Sequence, residues 1–127
     1  MTPNETELRI LLGRPPEDPT PTPKLAAHLH ARGIRNVIVT MGEKGALVLS
    51  SGTVTEIPGL SVEVVDTTGA GDAFSSGLAV ALIEGKDLID AVKFANCAGA
   101  LACTKLGVIP ALPKRAMVDE LYARYYA

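Results

Sequence analysis

The stretch Val64-Val65-Asp66-Thr67-Thr68-Gly69-Ala70-Gly71-Asp72-Ala73-Phe74 constrains this chain more than any other. Its β-branched pair reads as a strand end, the two glycines allow a sharp turn through positive φ, and Asp72-Ala73-Phe74 opens a helical pattern. A strand, a glycine turn and a helix start, in that order, build an anion site. The turn's amides point inward, and the helix N-terminus adds about half a positive charge. A phosphate needs no basic side chain there. The unusual residue is Asp72, a carboxylate facing the anion. It is poorly placed for binding alone and well placed to take a proton from an attacking hydroxyl.

The remaining pattern alternates helices with strands. Met1 to Gly13 reads as a helix with Asn4 as its cap, Glu5 and Glu7 in its first turn, and Leu8, Ile10, Leu11 and Leu12 as its apolar residues. Asn4 and Glu7 have the N-x-x-E spacing of a capping box, which satisfies orphan amides. Arg14 to Pro23 is proline-rich and reads as a surface loop, and a helix follows from Lys24 to Arg32. Asn36-Val37-Ile38-Val39-Thr40 is a continuous β-branched run, the mark of a strand buried on both faces. Thr40 to Gly45 forms a turn, and Ala46–Ser50, Ser51-Gly52 and Thr53–Ile57 form a hairpin. The T-x-G-x-x-G spacing within that turn is open to two readings, turn chemistry alone or a ligand loop at the C-terminal end of a strand.

Val62-Glu63-Val64-Val65 is a last short strand, and the helix after it is predicted from Asp72 to Gly85 with Phe74, Leu78, Ala81 and Leu82 on one face. Asp87 caps a helix from Leu88 to about Leu106, in which Ala95, Ala98, Gly99 and Ala102 form a stripe of small residues. The terminal helix, Lys114 to Tyr126, presents Met117, Val118, Leu121 and Tyr125 as its apolar side.

Composition narrows the function classes. The chain has 127 residues, 47% of them apolar, with a net charge of −2 and no clustered Lys and Arg, which argues against a nucleic-acid partner. No apolar run reaches the roughly 18 residues of a membrane span and no leader precedes the first helix, so a cytoplasmic location is expected. Cys97 and Cys103 lie about 240° apart around a helix and cannot readily pair, so they read as small buried thiols. His28 and His30 sit about 200° apart and do not share a ligand.

Asp66-Thr-Thr-Gly-Ala-Gly-Asp72-Ala-Phe, continuing Ser75-Ser-Gly77-Leu, resembles the signature of the ribokinase-like (PfkB-type) carbohydrate kinases. Asn4-Glu5-Thr6-Glu7, Thr40-Met41-Gly42-Glu43-Lys44-Gly45 and Ala91-Val92-Lys93-Phe94-Ala95-Asn96 extend the resemblance in the family's order. The resemblance implies an α/β fold: the C-terminal, nucleotide-binding part of a three-layer α/β/α architecture with a mostly parallel sheet plus a β-hairpin, as one partial domain over residues 1–127. It further implies ATP-dependent phosphorylation of a sugar hydroxyl, D-ribose to ribose 5-phosphate in the ribokinase form, with fructokinase or nucleoside kinase as alternatives within the family and a non-catalytic nucleotide-binding module as an alternative outside it.

By the same resemblance, Asp72 is the base and Gly69, Ala70 and Gly71 form the anion hole. Asn4, Thr40, Gly42, Gly45, Gly71 and Asn96 contact the nucleotide, and Glu7 helps to hold Mg2+ through water. Oxygens of Asp66, Thr68, Ala102, Lys105 and Gly107 surround a monovalent cation such as K+. Ala111 stands where a Ser is common, and Asn96 where a His is. The family's sugar-gripping N-terminal half is missing from the match, so a chain of this kind is expected to be inactive alone and to self-associate or pair with that half through an exposed sheet edge and apolar helix faces. A dinucleotide fold is disfavoured by the missing third glycine, and no G-K-[ST] of a phosphate loop occurs.

Overall fold

The structure, a computed structural model, describes residues 2–60, 62, 69–104 and 115–126. The chain divides into two compact units, residues 1–58 and 59–127. In the first, α1 (Glu5–Leu11) and α2 (Thr22–Ala31) precede β1 (Asn36–Thr40), β2 (Gly45–Ser50) and β3 (Thr53–Pro58), with a 3₁₀ turn at Gly42–Lys44. In the second, the described helices are α3 (Ala70–Ile83), α4 (Leu88–Cys103) and α5 (Arg115–Tyr125). None of the described helices is long and apolar enough to cross a membrane.

The expected hairpin is present, with β2 and β3 antiparallel and Ser50 opposite Thr53. Its two turn residues, Ser51 and Gly52, both have positive φ, which matches the twist of the flanking strands. β1 pairs antiparallel with the other side of β2, so the described sheet has the order β1-β2-β3. The sheet is thus less parallel than expected among the described residues. Connections of two to four residues can only reverse the chain, whereas parallel pairing needs a long crossover. One such crossover exists: the chain leaves Asn4, runs through α1 and α2, and returns to make a parallel bridge between Asn4 and Thr40. The strand predicted at residues 62–65 lies almost wholly outside the described residues.

All three central residues of β1, Val37, Ile38 and Val39, are buried, as a β-branched run on a two-sided strand requires. Val37 and Val39 join Leu47 and Leu49 on one face of the sheet, where Leu8 of α1 and Leu25, Ala26 and Leu29 of α2 complete a core. Leu12 packs against this cluster, whereas Ile10 and Leu11, expected on the same apolar side, are 59% and 48% exposed. A helix rotates 100° per residue, so Ile10 points away from a face set by Leu8 and Leu12.

The proline-rich loop is surface-lying but firmly tied. Arg9 is buried and donates from Nε to the Asp18 carbonyl, from Nη2 to the Thr20 carbonyl and from Nη1 to the Glu5 carbonyl, each at 2.9 Å. Asp18 accepts from the Thr20 amide at 2.8 Å and hydroxyl at 2.6 Å, and pairs with Arg14 at 3.0 Å. These bonds, the Thr20 hydroxyl first, hold the Asp18 carboxyl well below the usual carboxylate range.

In the second unit α3 and α4 pack through small residues. A Cβ on Gly77 would sit 2.9 Å from the Ala98 Cβ and 3.4 Å from the Ala95 Cα. The buried arc of α3 is Ala73, Phe74, Gly77, Leu78 and Ala81, with Leu82, expected on that face, 44% exposed at its edge. α5 also turns differently from expectation. Val118 is buried, Met117 and Tyr125 are exposed, and the Tyr122 and Tyr126 rings lie 5.8 Å apart.

Candidate functional site

In the first unit, five of the predicted nucleotide and metal residues gather at the C-terminal end of β1. The Thr40 amide donates to the Pro3 carbonyl at 3.0 Å, which brings Asn4 beside Thr40. Asn4 caps α1: its Oδ1 accepts from the Glu7 amide at 2.7 Å, and its own amide donates to Glu7 Oε1 at 2.9 Å. The capping box expected from the spacing is therefore complete. It leaves the Asn4 Nδ2 and one Glu7 oxygen facing outward, since both residues are exposed. Beyond Thr40 the chain turns through Gly42–Lys44 and re-enters the sheet at Gly45, where φ is 99° and the carbonyl accepts from the Met41 amide at 2.8 Å. A side chain at Gly45 would be strained in that conformation. An open cavity of about 420 Å³ lies against this turn, lined by Met41, Lys44, Glu56, Ile57 and Pro58.

In the second unit, Gly69 adopts the left-handed conformation, with φ of 81°, and α3 begins at once at Ala70. The helix thus starts two residues before the predicted Asp72, because the left-handed turn lets the Ala73 amide reach the Gly69 carbonyl at 2.9 Å. Asp72 is consequently the third residue of the helix rather than its first. It is exposed, and its carboxylate complements the positive end of the helix dipole. The amides of Ala70, Gly71 and Asp72 precede the first intrahelical donor, and no described residue accepts from them. Among the described residues, no atom outside the helix's own backbone and the neighbouring residues lies within 4 Å of where a Cβ on Gly71 would stand. On the other side, a Cβ on Gly99 of α4 would lie 3.3 Å from the Ala70 carbonyl oxygen, so α4 backs closely onto this first turn.

Asn96 lies on α4 and is half-buried. Its Nδ2 donates to the Tyr126 hydroxyl at 3.3 Å. Tyr126 carries the Lys93 ammonium 5.8 Å from its ring centre, and burial raises its hydroxyl pKa. Sequence reading missed Tyr126 because it took Tyr125 as the inward aromatic; the i, i+4, i+8 series Val118, Tyr122, Tyr126 was the available signal.

Ala102 is buried in the last turn of α4, where carbonyls have no i+4 partner inside the helix. Asp66, Thr68, Lys105 and Gly107, the other predicted cation ligands, lie outside the described residues, as does Ala111. Among the described residues no group of three or more His, Cys, Asp and Glu could hold a metal ion. Cys97 is buried, which pushes its thiol up to about 12, and neither cysteine is in a disulfide.

The pattern of the pfkB family carbohydrate kinases matches residues 1–115. The ribokinase of Haemophilus influenzae is 40% identical over 115 residues, 91% of this chain and 38% of that protein. Among solved structures, Arabidopsis thaliana ribokinase complexed with ribose and ATP superposes with a TM-score of 0.85 at 37% identity, covering 95% of this chain and 39% of that one. A double mutant of Vibrio cholerae fructokinase bound to fructose, ADP and a potassium ion gives 0.81 at 36% identity, covering 94% and 39%. The chain spans about two fifths of the length of these relatives. With a family match over nearly its whole length and relatives about 40% identical across most of it, the chain belongs to the pfkB family of carbohydrate kinases.

Proposed function

We propose that this chain carries the ATP site, the anion hole and the catalytic base of a kinase that phosphorylates a sugar hydroxyl, with D-ribose as the acceptor. The observation that carries this reading is the start of α3, where three amides without described acceptors and the exposed Asp72 carboxylate share one open turn. Phosphoryl transfer asks mainly for positioning and for donors aimed where charge spreads over the moving group. The amides of Ala70, Gly71 and Asp72 would supply those donors. Asp72 would accept the proton of the attacking alcohol, which raises the nucleophilicity of the oxygen as the new bond to phosphorus forms.

Asn4 and the Thr40–Gly45 turn would hold the nucleotide from the first unit, Asn4 through the amide nitrogen that its cap leaves unused. Glu7 fits a water-mediated role beside magnesium, because its second carboxylate oxygen stays outside the capping box. Magnesium, when bound, offsets the charge of the phosphate oxygens. Ala102, with Asp66, Thr68, Lys105 and Gly107, would surround a potassium ion. ATP and a sugar are the small-molecule partners in this reading, and a cytoplasmic location goes with ATP as donor.

Acceptor binding would come from the N-terminal part of the kinase, joined to or paired with this one as a single domain. The exposed Ile10 and Leu11 and the 86% exposed Ile83 are apolar surface such a partner would cover.

The test is titration of the purified chain with ATP and with NAD, followed by phosphorylation assays on ribose, fructose and adenosine with the N-terminal part of a ribokinase supplied. Saturable ATP binding with transfer to ribose is expected. Transfer to fructose or adenosine instead would reassign the acceptor. ATP binding without transfer to any of them leaves a nucleotide-binding module, and failure to bind ATP overturns the reading.

A further inference from the structure

Gly45 stands opposite Pro58 in the β2–β3 ladder, with Glu56 two residues earlier opposite Leu47. Alternation along β3 puts Glu56 and Pro58 on one face, and the missing side chain at Gly45 leaves room beside them. The turn that ends in Lys44 borders this space, a cavity of about 420 Å³ whose apolar lining is Met41, Ile57 and Pro58 and whose two charges are Lys44 and Glu56. That volume suits a small-molecule ligand. Both charged residues are exposed, and among the described residues no hydrogen bond or ion pair engages either side chain. Neither group is ambiguous in what it offers, because an ammonium only donates and an ionised carboxylate only accepts. A ligand that satisfies both presents an anion to Lys44 and hydroxyl or amino donors to Glu56. A simple anion is repelled by Glu56, and a neutral sugar leaves Lys44 unpaired.

We infer that this cavity takes the ribose and a phosphate of the nucleotide, with Glu56 accepting from the vicinal 2′- and 3′-hydroxyls and Lys44 donating to a phosphate oxygen. Met41, Ile57 and Pro58 then give the carbon face of the sugar an apolar surface. Glu56 is the specificity-determining residue in this arrangement. A carboxylate near a polyphosphate costs affinity by repulsion, which hydroxyl donors offset in a ribonucleotide and a dideoxynucleotide cannot offset, so the residue acts as a preference between sugars more than as a source of tightness. The inference deepens the proposed function and rests on its placement of the nucleotide at the Thr40–Gly45 turn.

The experiment is calorimetric titration of the full chain with ATP and with 2′,3′-dideoxyATP, in magnesium, for the unaltered protein and for Glu56→Ala, Lys44→Met and Thr53→Ala. The unaltered chain is expected to bind ATP about 10-fold more tightly than the dideoxynucleotide, the worth of a hydroxyl bonded to an exposed carboxylate, and Glu56→Ala is expected to bring that ratio close to one. Lys44→Met is expected to weaken both nucleotides alike, by about 5- to 10-fold, and to flatten the dependence of affinity on salt while the ratio stays as it was. Thr53→Ala, at the other end of β3, is expected to change neither. Equal binding of the two nucleotides by the unaltered chain, or a ratio that persists in Glu56→Ala, overturns this inference and spares the proposed function. Lys44→Met with unweakened ATP binding overturns the phosphate contact and with it the inference. A loss of the ratio in Thr53→Ala also overturns it, since displacement of β3 would then account for the effect. Absence of ATP binding by the unaltered chain overturns both.

Discussion

Both compact units bury apolar side chains, but they set the positions of their elements by different means. In residues 1–58, specific polar bonds do much of the positioning: a complete capping box, an arginine clasping three carbonyls and two strand ladders. In residues 59–127 the described helices meet through alanine and glycine, with backbone brought so close that a single methyl at Gly77 would collide. The first device is sensitive to the loss of a donor, and the second to an added carbon at Gly77. The proposed roles divide along the same line, because the proposed base belongs to the close-packed unit and the proposed nucleotide and magnesium residues Asn4 and Glu7 to the polar one.

The sharpest test of that division is functional. Asp72→Asn should lower turnover by about 10²–10⁴-fold in the complemented kinase while ATP affinity is retained, because it removes a proton acceptor and keeps the first-turn amides. Asn4→Ala should do the reverse, weakening ATP binding with little effect on turnover at saturation, and it should also cost about 1 kcal/mol of stability through the lost cap. Paired kinetics and titration read both; a large turnover defect in Asn4→Ala with normal ATP affinity would erase the distinction.

The next largest effect is expected at Arg9. Replacing it by Met keeps apolar bulk yet leaves the Asp18 and Thr20 carbonyls without their donor and takes the second, side-chain donor from the Glu5 carbonyl, a loss of about 2–4 kcal/mol in urea unfolding. A loss below about 1 kcal/mol would mean that water replaces the guanidinium freely. Gly77→Ala comes third. The gain in helix propensity is about 1 kcal/mol, and overpacking against Ala98 costs about 1–3 kcal/mol, so the net change is a modest destabilisation. A stabilised Gly77→Ala would show that α3 and α4 can part without penalty.

The smallest effect concerns pH. The Asp18 carboxyl is depressed in the folded chain by Thr20 and Arg14, so its contribution to stability is present above the ordinary carboxylate range and fades as pH falls below about 3.9, where the unfolded chain takes up the proton first. Comparing thermal midpoints of the protein and Asp18→Asn at pH 7 and at pH 3 should show a gap that narrows at the lower pH. A gap that is constant or widens removes Asp18 from the loop's stability.

Much of this molecule could be read before its coordinates. The Ser51-Gly52 hairpin, the buried Asn36–Thr40 strand and the Asn4–Glu7 box all depend on interactions within a few residues, where spacing and chemistry suffice. Errors came where a local pattern permitted several faces. Apolar Ile10, Leu11 and Leu82 satisfy helical periodicity, yet a neighbour covers only part of a helix, and these three fall outside the covered arc. The start of α3 was displaced by two residues because the helical pattern is first legible at Asp72, whereas the left-handed Gly69 closed the first helical bond earlier. The effect was to put the amides of Ala70 and Gly71 into the helix's orphan set.

By itself the sequence determined the kind of chemistry on offer: glycines that can turn, amides that must go unpaired at a helix start, a carboxylate in that first turn, and a β-branched run that needs burial. Each of these is a property of neighbouring residues and survives without knowing what lies across the chain. Tertiary structure alone decided that Arg9 would spend its donors on the proline-rich loop, that Gly99 would back onto Ala70, and that Asn96 would find Tyr126 thirty residues away. Those pairings depend on how helices rotate and slide when they pack, and a shift of one residue, or 100°, would have chosen other partners.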